Sequence, residues 1–492
     1  MLLHLQMDGR GPLHAQLTRA LKAVMLDGRM GAGERLPPTR LLARELEVSR
    51  NTVLAAYEQL QAEGFLHGRV GSGSFVAPGL QVRPEAGDGG AAGERVAVVD
   101  ALPPQSAYAG RARRFHDHAR IPGRTVPGTR YAFQYGVPMT NPALTSAWAR
   151  ELSRAASYTR PHYPPTQGLP ELREAVAGYL ARRRGVQVSA RDVLIVNGTQ
   201  QAIALTARVL LDPGAAAAIE EPQYFAIREV LQIHGARLQP VPVDGEGLRV
   251  DALPVPAPRL VCVTPSHQFP TGAVLSLARR QALLDYVHAH DSWIFEDDYD
   301  GEFRYDARPL SALRSLDRHG RVVYVGSFSK VMFPALRLGY LVMPPGLRRD
   351  FINAKWAEDF GSSAVEQAAL ARFIEDGGFE RHLRRTGKAL RERRAALLRG
   401  LRERLGERIE IADSNAGMHL LAWLRGASLE QGERLIEVAA SRGLGLHPIA
   451  PFYLEPPRRP GLLMGYAGMP LADIDPALRL FGECMDAVIP AR

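Results

Sequence analysis

A stretch rich in Gly, Pro, Ala and Arg, residues 79–128, splits the sequence into two parts of different texture. Residues 1–78 carry short helical patterns followed by a glycine-punctuated hairpin, whereas residues 129–492 alternate short apolar runs with amphipathic stretches. A single hydrophobic core stops growing at roughly 250–300 residues, so a chain of 492 residues divided in this way has to fold as separate bodies. The middle stretch has too little apolar surface to fold alone and is predicted to be a flexible linker. Its length gives an r.m.s. span of roughly 40 Å, enough for a head at 1–78 to work away from a body at 129–492.

The formal charge of +9 permits a polyanionic partner without demonstrating one, and the head carries both signs in near balance. The strongest basic run, Arg381 to Arg408, has Glu392, Glu403 and Glu407 interleaved at helical spacing. It reads as a solvated helix face, with an auxiliary phosphate-contacting surface as the alternative. No apolar run approaches the ~18 residues of a membrane helix, and Met1 to Arg10 has no signal-peptide core. Cys262 and Cys484 are the only thiols, which suits a reducing compartment. The expected location is the cytoplasm, with no membrane partner.

In the head, Leu13, Leu17, Leu21 and Val24 predict an amphipathic helix from Leu13 to Leu26. Leu36-Pro37-Pro38-Thr39-Arg40 breaks the chain, and Pro38 pre-sets φ for a second helix lined by Leu41, Leu42 and Leu46. Ser49 is the natural N-cap of a third, Arg50 to Glu63, with Val53, Ala56, Tyr57 and Leu60 inward. Such a helix–turn–helix presents Arg50, Asn51 and Thr52 where base edges are reached. Arg offers a bidentate fork to guanine and Asn one to adenine. Phe65 to Val76 then forms a two-stranded wing, with His67 and Arg69 available to a minor groove or to phosphates. Each piece alone is equally a small helical module with no nucleic-acid role.

In the body, Val193 to Val196, Ala216 to Ile219, Leu260 to Val263, Trp293 to Glu296 and Val322 to Val325 are short apolar runs separated by helical stretches. That rhythm predicts a mainly parallel sheet covered on both faces, with its sites at the strands' carboxyl ends. Polar clusters fall there. Lys330 sits in Ser327-Phe328-Ser329-Lys330, where an aldehyde cofactor could form a Schiff base, with Ser327, Ser329 and Arg337 placed to hold its phosphate. Alone, the motif is more often a surface lysine. Thr199 and Gln200 open a helix after a strand, a ready anion site. Asp297 and Tyr299, in Glu296-Asp297-Asp298-Tyr299-Asp300, offer a carboxylate for a pyridinium and a phenol for a ring hydroxyl; a metal site or solvated loop is the plainer alternative.

The ordered head segment LPPTRLLARELEVSRNTVLAAYEQLQAEGFLHGRVGSGSFV resembles the winged-helix head of the GntR regulators. With Glu220 to Tyr224 and Thr264 to Gly272 also in order, residues 130–480 resemble a fold-type I aminotransferase, and head followed by body resembles the MocR/GabR-type subfamily. The fold implied is an α+β winged helix–turn–helix head plus an α/β fold-type I aminotransferase-like body. The resemblance implies that Arg40, Ser49, Arg50, Asn51 and Thr52 contact a double-stranded DNA operator. It implies pyridoxal 5′-phosphate on Lys330, with Asp297 on the pyridinium, Tyr299 on the ring hydroxyl and Tyr224 stacked on the ring. Tyr163 matches the tyrosine that reaches the partner subunit's phosphate, or else packs in the core. A homodimer follows, with each head over the other subunit's body.

The sequence also departs from both patterns. Leu54 stands where some GntR heads carry a further Arg. Aminotransferases read Asn-Pro-Thr-Gly where this chain has Phe269-Pro270-Thr271-Gly272, and Leu463 aligns with the Arg that clamps the substrate carboxylate. Losing that charge-assisted fork costs affinity and orientation for amino acids. The expectation is a transcription regulator whose body senses pyridoxal 5′-phosphate or an amino compound, with residual half-reactions at most. A working aminotransferase with an appended head is the alternative. His267, Gln268, Arg130 and Arg160 are candidate effector contacts.

Overall fold

The computed structural model describes residues 5–69, 73–78, 104–115, 128–139, 141–305, 310–412 and 415–489. The chain divides into two compact units at residue 102, each described by itself.

In the first unit, helices Leu13–Leu26, Thr39–Glu45 and Arg50–Ala62 precede the antiparallel strands Leu66–Arg69 and Gly73–Val76. Leu17, Leu21, Leu42, Val53, Ala56, Leu60, Leu66 and Val76 close one small core. Ser49 caps the third helix by accepting from Thr52 N at 3.1 Å, satisfying one of the donors every helix start leaves open. The Tyr57 hydroxyl donates to Pro37 O at 2.8 Å, tying that helix to the turn before the second. Leu13 and Leu41, expected inward, are exposed. Leu13 is the first residue of its helix, and Leu41 lies about 100° around its helix from buried Leu42.

In the second unit an eight-stranded sheet runs in the order Val193–Val196, Gly339–Val342, Val322–Ser327, Trp293–Asp298, Leu260–Val263, Ala216–Glu221, Arg237–Asp244, Gly247–Leu248. The pairs among the five predicted strands are parallel, while Gly339–Val342 runs antiparallel to both neighbours. A smaller antiparallel sheet holds Ile409–Ala412, His419–Leu424, Gly461–Gly465 and His447–Pro448. Three predicted strands continue two residues further, to Glu221, Asp298 and Ser327. Asp297 and Ser327 therefore lie on the sheet and not in the loops after it, because backbone pairing continues where the side chains turn polar. Strand alternation then sorts the acids. Phe295 and Asp297 share one face, while Ile294, Glu296 and Asp298 take the other, where Arg184 and the Tyr324 hydroxyl each donate to Asp298 Oδ2 at 2.6 Å.

Within the stretch read as flexible linker, Ala107–Ala112 forms a short helix against the helix Phe225–His234. Arg111 Nε donates to Ile233 O at 2.8 Å, and the Tyr108 ring meets His234 edge-on at 5.5 Å. Most of the remaining linker lies outside the described residues.

Candidate functional site

The carboxyl ends of the sheet open into one cavity of about 200 Å³. Nine of the expected cofactor residues line it: Thr199, Gln200, Tyr224, Asp297, Tyr299, Ser327, Ser329, Lys330 and Arg337. Lys330 Nζ donates to Gly136 O at 2.7 Å, and burial lowers its pKa to about 8 against the raising pull of Asp300 and Asp297. Asp297 is 4% exposed, and its Oδ1 finds no hydrogen-bond partner among the described residues. Burial first and the Asp298 charge second raise its carboxyl to about 7. A buried carboxylate oxygen left open at the cavity wall is placed to receive a cationic N–H.

At the cavity's far end Arg337, in a left-handed conformation with φ 52°, lays its guanidinium over Gly198 and donates to Asn197 O at 3.0 Å. Gly198 has φ 83° and ψ 177°, a region essentially confined to glycine, and begins the helix Thr199–Leu210. Ser327 Oγ accepts from Ser329 N at 3.2 Å, drawing the serine turn tight beside it. Helix start, serine turn and guanidinium converge as an anion cradle.

Several supports were invisible in the sequence. Lys355, fully buried, donates to Gln201 Oε1 and to Asp359 Oδ2, both at 2.9 Å, and Asp359 accepts from Asn197 Nδ2, also at 2.9 Å. This network pins the helix start, yet a lone lysine in the charged segment Arg348–Asp359 carries no signal of it. His419, which lines the cavity, is held down to a pKa of about 3 by burial and then by His267.

The expected effector contacts are not among the residues lining the cavity. Gln268 Nε2 is spent on Glu220, Pro222 O and Phe269 O, and its Oε1 accepts from Thr271. His267 Nδ1 lies 3.0 Å from Asp300 Oδ2 and 2.9 Å from the Tyr299 hydroxyl. Arg130 covers the Tyr131 ring, and Arg160 is exposed outside the cavity. Tyr163 is 86% exposed rather than packed in a core, with its ring 5.7 Å from Phe360.

The two departures meet. Phe269 lines the cavity, with its ring edge-on to Tyr224 at 5.6 Å and to Tyr299 at 5.8 Å. Leu463 is fully buried in the same apolar cluster, with Phe225, Leu421, Ile449 and Phe452, while Leu462 and Met464 face the main core.

In the head, Arg40, Ser49, Arg50 and Asn51 are exposed and Thr52 is half-buried. The hydroxyls of Ser49 and Thr52 lie 2.8 Å apart, so both serve the cap. His67 is half-buried, with its ring 5.9 Å from Phe75 and its Nδ1 out of solvent. It stands less open to DNA than expected, because the strand pairing sets it against Phe75. The Arg69 side chain lies outside the described residues.

Comparison with known proteins gives two family matches: "Bacterial regulatory proteins, gntR family" over residues 13–76, and "Aminotransferase class I and II" over 134–480. A "Probable rhizopine catabolism regulatory protein MocR" from Rhizobium meliloti is 38% identical over 471 residues, spanning 95% of this chain and 92% of that one. The chain belongs to the MocR-type GntR regulators. Members of this family join a DNA-binding head to an aminotransferase-type body. The pyridoxine biosynthesis regulator PdxR of Corynebacterium glutamicum is 30% identical over 96% of this chain and 95% of its own. The body has the fold-type I architecture. The α-aminoadipate aminotransferase LysN of Thermus thermophilus, solved with N-(5′-phosphopyridoxyl)-L-leucine, matches with TM-score 0.67 and 27% identity over 77% of this chain and 98% of that one. No helix among the described residues is long and apolar enough to cross a membrane.

Proposed function

We propose that this MocR-type regulator, acting on DNA in the cytoplasm, binds pyridoxal 5′-phosphate on Lys330 and uses its body to sense rather than to catalyse. One observation carries the reading: the cofactor-type residues are intact around the cavity, while Phe269 and Leu463 form an apolar wall beside it. The open Asp297 Oδ1 and the Arg337 cradle fit the ring nitrogen and the phosphate of that cofactor. When bound, the cofactor supplies an aldehyde that can exchange one amine for another. The chain's own residues do the rest. Asp297 holds the ring nitrogen protonated, Tyr224 packs on the ring, and Tyr299, already bonded to His267, turns its hydroxyl towards the ring oxygen. Thr199, Gln200, Ser327, Ser329 and Arg337 hold the phosphate.

Without a guanidinium at 463, a substrate carboxylate has no fixed partner on the small sheet, and misalignment of about 1 Å costs on the order of a hundredfold in rate. The signal is then pyridoxal 5′-phosphate itself or an amine lacking an α-carboxylate; the pyridoxine-biosynthesis relative favours the former. Tyr163 serves the partner's phosphate in a homodimer whose two heads read two half-sites, Arg50 and Asn51 meeting base edges.

The intact lysine–aspartate set and the enzyme relatives favour the competing reading of a working aminotransferase. Purified protein should carry a visible absorbance band, and borohydride should fix the cofactor to Lys330. A panel of amino acids with a keto-acid acceptor, followed over many equivalents, separates the readings. Sustained turnover would overturn the sensor; a reduced adduct on another lysine would overturn the site.

A further inference from the structure

A second cleft opens between the helices Pro170–Arg184 and Gly378–Leu405, with a volume of about 280 Å³. Among the described residues its walls carry Arg384, Lys388 and Arg391, together with Arg304 and with Arg183 and Arg184, which are already engaged by Glu380 and Asp298, and the one carboxylate lining it is Glu302. Three of these cations, Arg384, Lys388 and Arg391, stand exposed at i, i+4 and i+7 on one helix. Like charges at that spacing disfavour a helix unless something opposite in charge faces them. No ion pair to them is seen among the described residues: Glu380, four residues before Arg384, feels that charge but is bound by Arg183, and Glu392, four residues after Lys388, forms no salt bridge with it. Glu302 is engaged from below, accepting from the Tyr179 hydroxyl at 2.5 Å, and burial raises it to about 7.

The shape selects the partner. Tyr179 and Arg184 form a recessed floor, each 1% exposed, and Leu383 adds an apolar side. A DNA backbone lying across the helix would touch the three exposed cations but could not enter. A compact anion can, and the exposed guanidinium forks of Arg384 and Arg391 match its oxygens in pairs. We propose that this cleft is a second ligand site, for a small anion bearing two or more negative charges of the phosphate or carboxylate type. It lies on the far side of the sheet residue Asp298 from the cofactor cavity, and Arg184 joins the two regions: it lines the cleft and donates to both Asp298 Oδ2 at 2.6 Å and Ser266 Oγ at 2.7 Å.

The test is calorimetric titration of the full chain with inorganic pyrophosphate and, separately, citrate, at constant ionic strength. Saturable binding of at least one probe is expected. It should weaken at least tenfold in the triple variant Arg384→Ala/Lys388→Ala/Arg391→Ala, and by an intermediate amount in Lys388→Gln. Alanine is the best helix former, so the triple variant should keep its fold, and its melting curve checks this. Arg337→Ala separates the two cavities: binding here should survive it. Absence of saturable binding, or binding lost with Arg337 and kept in the triple variant, overturns the proposal. So does a triple variant that loses only operator affinity, since the helix face would then be meeting DNA phosphates.

Discussion

The guanidinium of Arg337 lies across the α-carbon of Gly198, so a Cβ there would sit 3.3 Å from it. With φ 83° and ψ 177° as well, alanine meets strain on the order of 1–3 kcal/mol and a contact tight enough that the Arg337 guanidinium must give by a few tenths of an ångström. Gly198→Ala should displace Arg337 from the cradle and weaken cofactor retention by roughly tenfold or more at that cost. Absorbance of the bound cofactor after dialysis reads this out; full retention would remove Arg337 from the phosphate site.

The cap and the reading residues of the head should separate cleanly. Ser49→Ala loses the bond from Thr52 N and should cost about 1 kcal/mol of head stability, with Ser49→Asp restoring it. Arg50→Ala or Asn51→Ala should leave melting unchanged but cost about 1–3 kcal/mol of specific operator binding each. Weakening equal on all sequences, with a flattened salt dependence, would instead mark a phosphate contact.

Asp297 makes stability depend on pH. Its folded value of about 7 stands above its ordinary 3.8, so the folded protein holds the proton more tightly and this group's contribution falls as pH rises across that window. Cofactor-free Asp297→Asn should match the parent near pH 4 and melt higher than it at pH 8. Added pyridoxal 5′-phosphate should reverse the order at pH 8, since a cationic ring nitrogen favours the ionised carboxylate. Scanning calorimetry at the two pH values checks both signs; identical curves at pH 8 would dismiss the shift.

Leu463→Arg buries a cation in an apolar cluster, an effective penalty of several kcal/mol, unless the guanidinium reaches the cavity and finds a carboxylate. The variant should melt well below the parent, and saturating amino acid should raise its melting temperature while leaving the parent's unchanged. A variant indifferent to amino acids would show that position 463 does not look onto the substrate space.

Local rules carried the head. Leaving aside Leu13 and Leu41, the spacing of its leucines, the Ser49 cap and the glycine-flanked wing are short-range features, and the elements lie where these placed them. In the body the apolar runs marked each strand's start, but the polar ends at Asp298 and Ser327 were hidden, because pairing partners and not hydropathy extend a strand. The strand Arg237–Asp244, next to last in the sheet, was unmarked for a related reason: prolines 240 and 242 break its apolar pattern and only Val241 is fully buried. The cavity's membership was legible from motifs, whereas its tuning was not. That His267 occupies the Tyr299 hydroxyl, that Gln268 is spent on Glu220, and that Lys355 braces Gln201 are contacts across 32 to 154 residues of chain. No spacing rule reaches that far.

Tyr163 leaves a large ring in water at the edge of its own subunit. If that ring completes the neighbour's phosphate site, each subunit grips its cofactor only as firmly as it grips its twin. Dilution then becomes a second input. A cell holding few copies of the protein would populate cofactor-poor monomers even when the vitamin is plentiful, and abundance and nutrient level would be read as a product rather than a sum.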